Sequence, residues 1–459
     1  MNDQTHAEFN AKQEELEIKT DILDSIALKS IQKSAKKLLD KIEKSNCAPG
    51  NPGEWTICDC VWPAYRIDIS KTPCLVLSSL ERIGGSQGKS GGRVMIGYFI
   101  EKNNRILPSF PMIIKISKPA DRDKLAEENQ YAMSIRPYVG YNKEYFAMPL
   151  HFDRNSGDMD YSVLWSPFSS SNKIWDNTKI WEDSEESFLS LELLDLKTLL
   201  QSKPDCPKKI EEIQEETKKI IENVFQLLKP LHRKAKTAFL KEINIIEEYT
   251  QEHKDYLRDI EEPWSNRWKA IWADESIETT QDLGHEWTNP FWVLKKLKSL
   301  DKLPLFCGVT HGDLHPLNIV LSEKSPRIID FGWTDENSHI AKDFVLLECN
   351  LRFVFLQPDI SFQEITNVAN WISFSDEPPI SSDVVCSSRI KLIQKLRAIA
   401  KSHFPNDTNW DTEYILPLFL VSFGLLKFLS EYENQLAARI SVLTLATYVK
   451  RKFFNEQAN

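Results

Sequence analysis

The stretch VTHGDLHPLNIVLSEKSPRIIDFG, Val309 to Gly332, constrains the chain most. Two short apolar runs, IVLS and PRIIDF, flank the turn-forming EKSP and predict a β-hairpin. A hairpin closes its ends on one another. Asn318, just before the first run, is thereby brought to Asp330 at the end of the second, and Asp313 precedes Asn318 by five residues on the entering loop. A loop carboxylate can orient a hydroxyl and take its proton. An amide and a second carboxylate are hard oxygen donors suited to Mg²⁺. The three residue types in this order point to phosphoryl transfer to a hydroxyl, with Asp313 as base and Asn318 and Asp330 as metal ligands.

A second stretch, IGGSQGKSGGRV, Ile83 to Val94, holds five glycines in twelve residues and leaves a backbone almost free of bulk. Bare main chain of this kind can approach phosphates closely. The Gly88-Lys89-Ser90 triplet does not make a P-loop, because the first glycine of that motif would fall on Ile83 and a helix should follow. Strand-like RVMIGYFI follows instead. With CLVLSSLERI before it, MIIKIS after it and DYSVLWSPF further on, the loop reads as the turn between two antiparallel strands, either a plain hairpin turn or one that lays Gly84, Gly85 and Gly88 over the phosphates of ATP.

Length and charge bound the rest. A chain of 459 residues exceeds what one core supports, so two or three lobes are expected. Lys and Arg total 57 against 67 Asp and Glu, and the formal charge of -10 argues against sequence-independent nucleic-acid binding. The N-terminal MNDQTHAEFNAKQEELE has no apolar core of a signal peptide, and the run Tyr414 to Leu426, broken by Pro417, reads as a buried helix and not a membrane span. Eight cysteines without paired CxxC spacing read as structural, reduced thiols. A cytoplasmic protein is expected.

Leu28, Ile31, Ala35, Leu38, Leu39 and Ile42 predict an amphipathic helix near the N-terminus, either docked on the first lobe or offered to a protein partner. A further helix is predicted at about Asp121 to Ile135. Helical spacing returns at Ile210, Ile213, Ile220, Ile221, Val224, Phe225 and Leu228. Trp264, Trp268 and Trp272 fall on one helical face, read as packing within an insertion, with a stacking platform as the alternative. His311 and His315 are read as loop-packing residues; His339 and Arg352 have no assigned role.

HGDLHPLN followed by IIDFG resembles the catalytic and metal-binding loops of the aminoglycoside phosphotransferase and choline-kinase branch of the protein-kinase-like fold. Where protein kinases carry a lysine two residues after the aspartate, this chain has His315. The run IIDFGWTDENSHIAKDFVLLECNLRF is similar to the kinase-like ternary complex associated domains of bacterial conflict systems. The resemblance covers roughly Cys74 to Lys450, with Lys173 to Leu305 poorly matched.

It implies that Lys115 in MIIKIS holds the α- and β-phosphates of ATP and pairs with Glu127 or Glu128, Glu128 being preferred. It also implies that Asp343 braces the catalytic loop and that Val163 to Ser166, including Leu164 and Ser166, form the hinge that meets adenine. The expected architecture is α+β and two-lobed. It comprises an N-terminal helical arm (1-55), an antiparallel-sheet lobe (56-168), and a helical lobe (169-459) carrying a Trp-rich insertion at about 205-300. The expected activity is ATP·Mg²⁺-dependent transfer of the γ-phosphoryl group to a small molecule or other acceptor, in the cleft between the lobes. No membrane or nucleic-acid partner is expected. The alternative is a kinase-shaped nucleotide-binding module that signals to a protein partner through the N-terminal helix or the insertion.

Overall fold

The computed structural model describes residues 18–19, 25–45, 74–79, 93–100, 112–139, 145–155, 160–167, 196–201, 207–234, 240–250, 264–322, 325–374 and 376–455. The chain divides into two compact units, 1–133 with 147–193 and 134–146 with 194–459.

The first unit is built on a six-stranded sheet in the order β1-β2-β3-β4-β6-β5. Its strands are β1 (Ile18–Lys19), β2 (Cys74–Ser79), β3 (Arg93–Ile100), β4 (Met112–Ser117), β5 (His151–Asp153) and β6 (Ser162–Pro167). Only β1 and β2 run parallel. Because side chains alternate across a strand, register sorts them into rows on opposite faces. One row, Met95, Ile114, Trp165 and His151, is buried throughout.

Helix α1 (Ser25–Ser45) covers that face with Ile31, Ala35 and Leu38. Trp165 Nε1 donates to Ser34 Oγ at 2.9 Å, the Tyr161 N–H donates to Ser30 Oγ at 3.0 Å, and Lys37 Nζ meets Asp153 at 2.7 Å. The N-terminal helix is therefore a layer of the sheet unit, as the docked reading expects, and not a separate arm. Helix α2 (Arg122–Val139) follows β4, and its last residues, from Ser134, belong to the second unit. That moves the boundary away from position 168.

The second unit is mostly helical. Helix α3 (Leu196–Gln201) leads to α4 (Pro207–Lys234), whose Ile220, Ile221, Val224, Phe225, Leu228 and Leu231 are all buried. Phe225 stacks on Phe344 with centroids 4.2 Å apart. A three-stranded antiparallel sheet has β10 (Leu303–Thr310) between β7 (Leu240–Ile243) and β13 (Asp335–His339). At Gly308 a side chain would come within 2.4 Å of the His232 carbonyl, so β10 and the end of α4 approach as closely as backbones allow.

The region 205-300, read as an insertion, is packed into the unit. Its longest helix lies at the centre of the unit, and one of its strands completes the sheet. Helix α5 (Ile245–Tyr249) follows β7, and α6 (Trp264–Trp272) precedes the hairpin of β8 (Thr279–Asp282) and β9 (His285–Thr288). Trp268 and Trp272 are buried with ring centroids 4.3 Å apart, and Trp272 Nε1 donates to Asp282 Oδ2 at 2.7 Å. These two rings pack internally.

Helix α7 (Pro290–Lys298) leads into β10, and a hairpin of β11 (Ile319–Ser322) and β12 (Ser325–Ile328) follows it. The unit ends with α8 (Ala341–Cys349), α9 (Phe362–Asn370), α10 (Val384–His403), α11 (Leu416–Leu425) and α12 (Gln435–Lys450). The stretch Asp411–Glu431 is apolar and long enough to cross a bilayer by composition, yet most of it is buried within this unit. Cys307, Cys349 and Cys386 are buried thiols, and burial pushes each up to about 12. They remain protonated at neutral pH. The fold class is α+β, with a small, almost wholly antiparallel sheet unit and a large helical unit, as expected for the protein-kinase-like class.

Candidate functional site

Strand β10 delivers the loop His311–Asn318, and a single buried carboxylate holds that loop by its backbone. Asp343, on α8 and fully buried, accepts from the Gly312 N–H through Oδ1 at 2.7 Å and from the His311 N–H through Oδ2 at 3.0 Å. His232 Nε2, at the end of α4, meets the same Oδ2 at 3.0 Å. Burial alone would raise the Asp343 carboxyl. The hydrogen bond and charge of His232, with the adjacent His311, hold it below its ordinary value, so it is ionised where its acceptors are needed. Spacing in the sequence does not mark His232.

Within the loop, the Asp313 N–H donates to His311 Nδ1 at 3.3 Å, which leaves Nε2 of that ring to carry the hydrogen and donate to the Ile329 carbonyl at 2.9 Å. His311 therefore ties the loop to the residue preceding Asp330. Gly312 has φ +80, and a Cβ there would lie 2.2 Å from the Trp333 carbonyl oxygen, so only glycine fits. Asp313 is part-exposed, and His315 Nε2 stands 3.7 Å from its Oδ2. His315 thus borders the candidate base.

The hairpin does what its pattern predicts. Ile319 pairs with Ile328, and the Ile329 N–H donates to the Asn318 carbonyl at 3.1 Å, which makes Asn318 and Asp330 neighbours across the base of the hairpin. Asn318 Nδ2 donates to the Asp313 carbonyl at 2.8 Å, leaving the amide oxygen as the end suited to a cation. Asp330 has φ +62, a left-handed conformation that aspartate tolerates better than most residues. No cluster of three or more His, Cys, Asp or Glu able to hold a metal occurs among the described residues. One amide oxygen and one carboxylate nonetheless fit Mg²⁺, which commonly takes one or two protein ligands and completes its shell with water and phosphate.

In the sheet unit, Lys115 pairs across β4 with Val94 and Leu164, and Leu164 with Phe152, so these four side chains share the face opposite α1. Lys115 Nζ lies 2.6 Å from Glu128 Oε1, with only 16% and 9% of the two side chains exposed. Glu128, rather than Glu127, makes this contact. Leu164, expected to meet adenine at the hinge, sits in mid-strand. It is flanked by β4 on one edge and β5 on the other, so its peptide groups lie inside the ladder, and its buried side chain, on the Lys115 face, is what it can offer. Ser166 lies beyond the last residue paired with β5, near the end of the strand. Gly84, Gly85 and Gly88 lie outside the described residues.

Three further buried networks fix the frame behind the loop. His339 bridges Tyr249 at 3.1 Å and Glu413 at 2.6 Å, and Glu413 accepts the Phe306 N–H of β10 at 2.9 Å. Lys342 pairs with Glu248 at 2.7 Å. Burial opposes ionisation of Glu248, but Lys342 and hydrogen bonds from His339 and Ser338 hold it below its ordinary value. Glu348 takes Arg352 at 2.7 Å, Arg397 at 2.9 Å and the Tyr414 hydroxyl at 2.7 Å. Its burial is outweighed by the two guanidinium charges, and the carboxyl is held down at about 2. His339 and Arg352 therefore have structural roles.

Residues 252–427 match the family model described as ternary complex associated domain 9. A comparison with curated proteins finds no significant match. Among solved structures, the chain is similar to amicoumacin kinase hAmiN in complex with AMP-PNP, Ca²⁺ and Ami, at 10% identity over 92% of this chain and 96% of that one, TM-score 0.39. It is also similar to choline kinase from Cryptosporidium parvum Iowa II, at 9% identity over 85% and 92%, TM-score 0.41. A third is a putative aminoglycoside phosphotransferase from Ralstonia eutropha JMP134, at 11% identity over 82% and 93%, TM-score 0.39.

Proposed function

We propose that this chain is an ATP-dependent phosphotransferase that moves the γ-phosphoryl group to an alcohol. The observation that carries this reading is the loop His311–Asn318, clamped through two backbone N–H groups to the ionised, buried Asp343 and tied by His311 and Asn318 to the residue before Asp330. Such pre-organisation is useful where catalysis depends on position and charge. Asp313 accepts the proton of the attacking hydroxyl as its oxygen bonds to the γ-phosphorus and the bond to the β-phosphate oxygen breaks, releasing ADP. Asn318 and Asp330 hold Mg²⁺, which neutralises charge on the phosphates when bound. Lys115, oriented by Glu128, binds the α- and β-phosphates.

Incubation with γ-labelled ATP and a pool of metabolites and proteins, followed by tracing the label, tests this. Label should pass to an acceptor with Mg²⁺ and not after chelation. Asp313→Asn should slow transfer by about two to four orders of magnitude while nucleotide binding survives. Lys115→Met should weaken ATP binding. A folded Asp313→Asn variant that transfers label at the wild-type rate would remove the catalytic reading and favour a nucleotide-sensing module that acts through a partner.

A further inference from the structure

Helices α3, α4 and α10 line a half-open pocket of about 180 Å³ in the helical unit, with apolar side chains such as Ile210, Ile213 and Leu392 on its wall. Two polar groups on its lining stand out. Arg389 is 3% exposed, and its Nη2 donates to the carbonyls of Leu200 at 2.8 Å and Phe355 at 3.0 Å, but no carboxylate among the described residues pairs with it. Arg352 and Arg397, equally buried, share Glu348. Thr217 is fully buried, and its Oγ1 has no hydrogen-bond partner among the described residues.

An unpaired buried guanidinium and an unmet hydroxyl each destabilise a fold. Keeping both on the wall of one void makes sense where an anion completes them. Burial draws Arg389 down to about 10, so it stays cationic at neutral pH.

We infer that this cavity binds a small amphipathic anion, a carboxylate on an apolar body, whose head group pairs with Arg389 and accepts the Thr217 hydroxyl while its body fills the space beside Ile210, Ile213 and Leu392. A void of about 150 Å³ takes benzene, so a single ring with its carboxylate matches this one in size. The site is separate from the Asp313 loop. It is nevertheless one helix away, since α3, which supplies the Leu200 carbonyl to Arg389, also packs against the turn Pro316–Asn318.

The test is calorimetric titration of the full chain at neutral pH with benzoate, benzyl alcohol and benzylamine, which share a ring and differ in head-group charge. Benzoate should bind at least about tenfold more tightly than the other two, since a carboxylate-guanidinium pair is charge-assisted. Arg389→Met should erase that preference. Because this change also removes two carbonyl bonds, Ile213→Phe supplies an independent arm: it fills the void with Arg389 intact and should lower benzoate affinity about tenfold or more in a protein whose helical signal is unchanged. Absence of benzoate binding at millimolar concentration, equal binding of the three probes, or undiminished binding to folded Ile213→Phe would each overturn the assignment. None of these outcomes depends on phosphotransfer.

Discussion

Gly312 and Asp330 both adopt left-handed backbone, with φ of +80 and +62, and for different reasons. Gly312 must, because the Trp333 carbonyl occupies the space of any side chain. Gly312→Ala should therefore cost at least about 2 kcal/mol, read as a lower urea midpoint. Asp330 bears a conformational cost at the place where the proposed metal ligand is needed. Asp330→Asn, which tolerates the same conformation, should change stability by less than about 1 kcal/mol and still suppress Mg²⁺-dependent transfer. A large stability loss would show that Asp330 serves the fold first. Asp313, Asn318 and Asp330 were legible because a loop and a hairpin keep them close along the chain. His232 was not legible, since it meets Asp343 across 111 positions and nothing local announces the contact.

Among the elements, α6 shows how far a pattern reaches. Its spacing places the tryptophans on one face, but what that face meets depends on β8, α11 and α12: Trp272 bonds Asp282, its ring lies 6.4 Å from Phe423, and Arg439 pairs with Asp282. Trp272→Phe keeps the packing and removes the donor. It should cost about 1–3 kcal/mol by thermal or urea unfolding, because Asp282 loses a buried partner. A neutral result would mean that Arg439 and the Leu283 N–H together satisfy Asp282. The same limit applies to α4. Its amphipathic spacing was plain, but that β10 and α10 both pack on it was not.

Across the whole molecule, acid should unfold the helical unit in two stages. His403 Nδ1 lies 2.9 Å from His232 Nδ1, and burial, then the charges of His232, Lys229 and Arg233, push His403 down to about 2 from 6.5. A depressed folded value means that the unfolded chain binds the proton more readily, so stability is lost as pH falls from about 6.5. Glu348, held at about 2 against 4.5, has the same sign and a lower window: its contribution of about 3 kcal/mol is present above pH 4.5 and declines toward pH 2. Urea midpoints of the wild type should fall across both windows. In His403→Gln the decline between about pH 6.5 and 5 should flatten while the lower one persists; an unchanged upper limb would assign it elsewhere.

The amino-acid sequence alone determined the sheet strands, the amphipathic helices, and the hairpin that joins Asn318 to Asp330, since these follow from residue type and short-range spacing. Tertiary structure alone decided that Asp343 is held by His232, that Glu128 meets Lys115, that Leu164 lies inside the ladder and that Arg389 is buried with no carboxylate partner among the described residues. Those outcomes depend on which distant surfaces exclude water together, and burial is a property of the packed chain that no local spacing carries.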